Sequence, residues 1–369
     1  MKIEEIAQEF KLEGKIINIK ENKTGNINKT YLIITDKKKY ILQKINTLVF
    51  NEPYLLMQNI ENVTNYYKKY LKKNGGDTER ETLSVIKTKE GINLYRNEDE
   101  YYRMYNYVDN AITYDKSESE EMFYNVGKAL GHFVKVLNNY PMESLNETIP
   151  NFHNSKVRFK NFLKDIKKDP CNRVKNVCPE IVYIIQREDE LKSIVDLLEK
   201  GEIPLRVTHN DTKINNVLID SETNKAICVI DLDTVMPGSA LYDFGDAIRS
   251  GASTTFEDDQ NLNNVGINIE YFRSFTTAYL SETRDILKKE EIDNLVLSCK
   301  VITLELAMRF LNDYINGDTY FKCDYENHNL VRCRNQLKLV SEIEKNYDQM
   351  LKIVKEETKV KTLNKIDKH

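Results

Sequence analysis

An α+β fold of two lobes, a small β-rich one followed by a larger helical one, is what the sequence predicts. Three observations lead to it. Strand-type segments crowd the first hundred residues, helical apolar stripes dominate after Asp109, and a short hairpin pattern interrupts the helical part at its middle. The chain has 369 residues. That is enough for two cores, since domains usually run to roughly 100–200 residues.

Residues 16–19, 30–35, 39–45 and 101–108 are rich in β-branched and aromatic side chains and are broken by Gly, Asn and Asp turns, so each reads as a strand. Between them, residues 53–71 carry Leu56, Ile60, Val63 and Tyr67 at spacings of three and four, which predicts one helix. Beyond Asp109 the period is helical. Phe123, Val126, Leu130, Phe133 and Leu137 form one stripe, residues 292–306 a second, and Leu337, Val340, Ile343 and Tyr347 a third. Residues 216–220 and 226–232, joined by a polar turn, predict the hairpin. The lysine-rich end from residue 352 is expected to fray.

Composition narrows the function. With 30% charged residues and a formal net charge of −4, the balance is against a nucleic-acid binder. No run approaches the roughly 20 apolar residues of a membrane helix, and no export signal is read at the amino terminus, so a cytoplasmic protein with no membrane partner is expected. The six cysteines are scattered and read as reduced thiols. A zinc site from Cys323, His328 and Cys333 fits no standard spacing.

The chemistry is concentrated at residues 209–216. His209, Asp211 and Asn216 stand in the H-x-D-x-x-x-x-N spacing of a kinase catalytic loop, and the hairpin that follows ends in Ile-Asp231-Leu-Asp233. Phosphoryl transfer needs a carboxylate to orient the acceptor hydroxyl and take its proton, the role assigned to Asp211. It also needs oxygen ligands for Mg²⁺, assigned to Asn216 and Asp231, with Asp233 expected on the same side of a strand as Asp231 and available to a second ion. Lys213 is placed to meet the transferred phosphate. Each residue alone has a plainer reading, Asp211 as a helix cap, Asn216 as a turn former, Asp231 as a strand-end cap. The joint spacing with the intervening hairpin decides for catalysis, and His209 is read as a structural residue of the loop.

These residues resemble the aminoglycoside phosphotransferase and choline kinase superfamily. The longer runs, residues 209–218, 228–238, 242–249, 309–322 and 336–340, resemble the N-acetylhexosamine 1-kinases in particular. The resemblance implies a bilobal protein-kinase-like fold with the nucleotide, ATP or GTP, at the hinge. It also implies that Arg309 and Tyr320 hold the sugar beside Asp211. Most of the superfamily carries His where Lys213 stands.

In the small lobe, Gly25 and Asn28 lie in a turn between two strands where a loop would cover the phosphates. Lys44 ends a strand at about the place of the lysine that pairs with the α- and β-phosphates, with Gln43 on the opposite face and Glu52 or Glu61 as its acidic partner. The expected organisation is a nucleotide-binding lobe over residues 1–104, a hinge over 105–109 and a catalytic and substrate-binding lobe over 110–369. The expected activity is Mg²⁺-dependent transfer of a γ-phosphoryl group to the anomeric hydroxyl of an N-acetylhexosamine; the sequence leaves the oligomeric state open, a monomer among the options. The alternatives are a kinase for choline, homoserine, an aminoglycoside or methylthioribose, and a non-catalytic binding protein of the same fold. An intact Asp211, Asn216 and Asp231 weigh against the last.

Overall fold

The computed structural model describes residues 2–22 and 27–366. It is a mixed α+β structure that divides into two compact units. The first comprises Met1–Ile112, Asn139–Pro150 and Leu218–Met236. Its antiparallel sheet runs in the order Ile16–Asn22, Lys29–Thr35, Lys39–Lys44, Glu100–Asn106 and Val85–Ile86, with Tyr95–Asn97 also paired to Glu100–Asn106. The four long strands are those the sequence predicts. The opening helix Ile3–Gln8 and the two short strands are not legible, because they carry too few residues to show a period.

One face of this sheet is closed by Ile6, Ala7 and Phe10, which pack with Ile33, Tyr40, Leu42, Tyr102 and Met104. The helix Pro53–Asn74 begins on proline at its first turn and ends at Gly75, whose φ of 75° is left-handed. The predicted hairpin forms from Val217–Asp220 and Ala226–Val229. It joins Ala111–Ile112 in a three-stranded sheet. Arg80 donates to Asp220 at 2.8 Å, which anchors the hairpin turn within the first unit.

The second unit comprises Thr113–Asn138, Asn151–Val217 and Pro237–His369, and is mainly helical. The helix Glu120–Leu137 starts where the Ser119 side chain accepts from the Met122 amide, with Glu120 and Glu121 in the first turn. At the centre of the unit lies Leu295–Ile315, buried along most of its length. Its Leu304, Met308, Leu311 and Ile315 share a core with Phe159, Phe162, Ile184, Leu337 and Val340. Two predicted stripes break where the sequence reading ran on. Asn294 separates Lys289–Asp293 from Leu295–Ile315, and Asn346 separates His328–Lys345 from Tyr347–Ile366. That last helix takes in the segment expected to fray as far as Ile366. Buried Met350, Ile353 and Val354 hold its first turns to the core. Among the described residues no helix is long and apolar enough to cross a membrane.

Candidate active site

In the second unit the strand Arg206–Thr208 delivers the chain into His209, Asn210 and Asp211. Asn210 has a φ of 63°, and this left-handed turn aims the following residue away from the strand line. Asp243, from the helix Ala240–Gly251, fixes the turn: its carboxylate accepts from the His209 amide at 2.9 Å and the Asn210 amide at 2.7 Å. Burial pushes the Asp243 carboxyl up to about 6, against the pull of His209 and of those two amides. His209 is fully buried, and its Nδ1 accepts from the Asp211 amide at 3.3 Å. Gly238 lies against the same turn. A Cβ there would fall 2.4 Å from Thr208 Oγ1 and 2.7 Å from Asn210 Oδ1.

Around Asp211 the predicted partners assemble. Asn216 Nδ2 donates to the Asp211 carbonyl at 2.7 Å and to its Oδ2 at 3.1 Å. The Lys213 ammonium lies 3.4 Å from Oδ1. Burial works to raise the Asp211 carboxyl, but Lys213, His209 and Arg249 together hold it below the usual carboxylate range, so it stands ready as an acceptor of a proton or a hydroxyl. The Lys213 ammonium is correspondingly held above its ordinary value, chiefly by Asp211.

Arg309 and Tyr320 are also brought together. The Arg309 guanidinium lies over the rings of Phe152 at 5.1 Å, Phe321 at 5.5 Å and Tyr320 at 5.9 Å. Neither of its helical neighbours of opposite charge hydrogen-bonds it, although Glu305 still feels the Arg309 charge. Asp313 accepts from the amides of Thr319, Tyr320 and Phe321 and from Asn329 Nδ2, while Glu305 bonds His153 Nδ1 at 2.9 Å. Arg309 and Tyr320 line a cavity of about 380 Å³ with Arg158, Asn161, Asp165 and Asn312. Burial and the neighbouring Arg309 press the Arg158 guanidinium down to about 10. His153 Nε2 lies 3.0 Å from the Asn210 carbonyl, so one imidazole links the helix of Glu305 and Arg309 to the loop of Asp211.

The remaining predicted residues belong to the first unit. Asp231 is exposed and left-handed, with a φ of 58°, and it opens a short 3₁₀ turn over Leu232–Thr234. The expectation that Asp233 sits on the same side of a strand as Asp231 therefore gives way, because the strand ends at Val229 and the period of two ends with it. Asp233 is instead buried in a fork with Arg103, whose Nη2 donates to Oδ2 at 2.9 Å and whose Nη1 bonds Oδ1. Asn28 adds a third donor at 2.7 Å. Arg103 also donates to Gln43 Oε1 at 3.0 Å, and Gln43 to Thr30 Oγ1 at 3.1 Å. Gln43 thus shares the face of Arg103 and Asp233. Lys44 pairs with Glu100 on the adjacent strand, and Glu61 with Lys87, so neither Glu52 nor Glu61 is its partner in this structure. Gly25 lies outside the described residues.

Sequence reasoning passed over Arg103, His153 and Asp243. Arg103 did leave a signal, a lone charge inside an otherwise apolar strand, which demands a buried partner. For the expected Mg²⁺, the donor chemistry fits. In the second unit Asn216 spends its amide nitrogen on Asp211, which leaves the side-chain oxygen for a hard cation, and in the first unit Asp231 carries an exposed carboxylate.

His209, Asp211 and Asn216 thus fold into one loop in which Asp211 is held by its neighbours, with the H-x-D-x-x-x-x-N spacing of a kinase catalytic loop. Residues 18–266 match the phosphotransferase enzyme family, APH, and the chain belongs to that family. The fold is also that of several solved structures. An aminoglycoside phosphotransferase from Alicyclobacillus acidocaldarius aligns with a TM-score of 0.62 at 10% identity, covering 97% of each chain. A microcompartment-associated aminopropanol kinase gives 0.61 at 16% identity, over 94% of this chain and 97% of that one. A spectinomycin phosphotransferase in complex with ADP and spectinomycin gives 0.57 at 13% identity, over 94% and 98%.

Proposed function

We propose that the protein transfers the γ-phosphoryl group of ATP or GTP to the anomeric hydroxyl of N-acetylglucosamine or N-acetylgalactosamine, giving the sugar 1-phosphate. The observation that carries the choice of acceptor is Arg309. Its guanidinium makes no hydrogen bond to the described residues, faces three aromatic rings and lines a 380 Å³ cavity together with the cationic Arg158. The lining sets these two guanidinium groups beside two carboxylates, Asp165 and Asp313, so it carries no net formal charge and offers both donors and acceptors. Such a lining suits a neutral sugar, whose hydroxyl and acetamide oxygens accept from five N–H donors on each arginine while a ring face takes its apolar side.

In this reading Asp211 receives the acceptor proton and Lys213 steadies that carboxylate and meets the transferred phosphate. Asp243 and His209 hold the loop in shape. Asn216 and Asp231 are the Mg²⁺ ligands, and bound Mg²⁺ supplies the charge neutralisation that phosphoryl transfer between anionic oxygens requires. Asp233 is a positioning residue for the segment that carries Asp231, through its fork with Arg103. Residues 1–104 are assigned to nucleotide binding, with Asn28 as a contact and Gln43, which shares the face of Asp233, in the place expected for Lys44, residues 105–109 to the hinge that receives the base, and residues 110–369 to catalysis and acceptor binding.

The test is a panel of free sugars and amino alcohols assayed with radiolabelled nucleotide, with the product read by ³¹P NMR. A sugar 1-phosphate is expected. Arg309→Ala is expected to raise the KM for sugar about 10–100-fold while the KM for nucleotide stays within about twofold. Phosphorylation at another hydroxyl, preference for an amino alcohol, or equal effects on both KM values would overturn the assignment.

A further inference from the structure

The peptide that joins Asn210 to Asp211 meets an imidazole at each end. Its carbonyl oxygen lies 3.0 Å from His153 Nε2, and its N–H donates to His209 Nδ1 at 3.3 Å. The Asp211 side chain hangs directly from this planar unit, so its carboxylate turns wherever the peptide turns. His153 comes from outside the loop, just before the helix Ser155–Lys168. Its side chain is 8% exposed, and its Nδ1 lies 2.9 Å from Oε1 of Glu305, a side chain only 2% exposed.

Both partners of His153 are of one kind, since a backbone carbonyl and a carboxylate only accept hydrogen bonds. A neutral imidazole has a single N–H and would leave one buried acceptor facing another at hydrogen-bond distance, which is costly. Only the imidazolium donates to both. Burial works to raise the Glu305 carboxyl, but His153, Arg158 and Arg309 together hold it below the usual carboxylate range, so the proton between this pair belongs to the imidazole. From the helix Ala240–Gly251 the Tyr242 ring lies 4.7 Å from the imidazole, and the Asp243 carboxylate feels its charge. The neighbouring Phe152 ring packs edge-on at 4.6 Å. Arg158 Nε lies 3.8 Å from Glu305 Oε1. Two carboxylates therefore bear on the imidazole, while the two guanidinium groups bear on Glu305.

We propose that His153 is a positioning residue that works as an imidazolium: it donates from Nδ1 to Glu305 and from Nε2 to the Asn210 carbonyl, and so fixes the peptide that aims Asp211. The proposal rests on Asp211 as the base and not on the choice of acceptor. Raising the pH removes a proton that one of the two bonds needs. The peptide is then released or pushed aside, and turnover falls on the alkaline side while nucleotide binding is untouched.

The experiment joins a spectrum to a rate. Protein labelled with ¹⁵N in its five histidines is followed by ¹⁵N–¹H NMR, with His153 assigned by its absence from His153→Phe. Over the same pH range kcat is measured with N-acetylglucosamine, or with the best acceptor of the panel if that is another compound. At neutral pH the wild-type His153 is expected to carry protons on both nitrogens, and to lose one over the range in which kcat falls about 10–100-fold. His153→Phe is expected to lower kcat by a similar factor and to lose that pH dependence, with the KM for nucleotide within about twofold. Glu305→Gln provides a rescue, because its carboxamide N–H donates to Nδ1 and lets a neutral imidazole keep its bond to Asn210. That variant is expected to show one His153 proton, on Nε2, and no alkaline fall from its own maximum. A wild-type His153 with a bare nitrogen at the pH of full turnover overturns the proposal on that result alone, whatever the variants do. So does a kcat that stays level while His153 loses its proton, or an alkaline fall that persists in either variant. Failure of the sugar reading shows separately, as turnover of a different acceptor in the panel with the His153 spectrum as expected.

Discussion

Asp243 touches no reacting atom in this reading, yet both amides that shape the turn before Asp211 donate to its carboxylate. It is 2% exposed, and its carboxyl is pushed up to about 6 by burial. In the unfolded chain the same group titrates near the ordinary value of about 4. Between about pH 4 and pH 6 the folded protein therefore holds a proton that the unfolded chain has released, and stability falls as pH rises through that window. A shift of about two units corresponds to at most about 3 kcal/mol. Asp243→Asn is expected to flatten this part of the pH dependence, seen by denaturant titration of both proteins at several pH values from 4 to 6.5. It is also expected to cost most of the turnover, because a carboxamide presents one acceptor where two amides need one each. An unchanged pH dependence in the variant would place the titration elsewhere.

At the scale of elements, two glycines separate stability from turnover. Gly245 sits on the helix Ala240–Gly251, where a Cβ would lie 2.5 Å from the Ser298 carbonyl on the helix Leu295–Ile315. Backbone cannot step aside cheaply, so Gly245→Ala is expected to force these helices apart and to cost about 1–3 kcal/mol, read as a lowered Tm. Gly238 instead meets side-chain atoms of Thr208 and Asn210, which bond each other at 2.9 Å. Gly238→Ala is expected to break that bond and reshape the loop, lowering kcat about 10–100-fold with little change in Tm. The reverse pattern, turnover lost at 245 and stability lost at 238, would contradict the roles given to both contacts. Strand register acts at the same scale. Because Gln43 lies opposite Arg103, the fork on Asp233 and the Gln43 amide share one face, and Lys44 is turned to Glu100 on the other.

Across the whole molecule, metal dependence separates transfer from folding. Chelation by EDTA is expected to abolish transfer and added Mg²⁺ to restore it, while Asp231→Asn, which keeps a side chain tolerant of the left-handed φ of 58°, loses most of its activity at saturating Mg²⁺ with little change in Tm. Full activity in EDTA would remove the metal from the mechanism. The sequence by itself determined the α+β class, the four long strands, the order of loop and hairpin, and the short-range grouping of Asp211, Lys213 and Asn216. These follow from period and spacing, which are local properties of a chain. Tertiary structure alone decided what lies far apart in sequence. Arg103 meets Asp233, Asp243 holds residues 209 and 210, His153 joins Glu305 to Asn210, and the two acids flanking Arg309 turn to other partners. The 3₁₀ turn at Leu232–Thr234 was hidden for the same reason. Its alternation of apolar and acidic residues is compatible with a strand; the fork from Arg103 and the bond from Thr148 to the Asp233 carbonyl hold the turn instead. A buried charge must find its counter-charge wherever the fold brings one, and spacing along the chain carries no record of that choice.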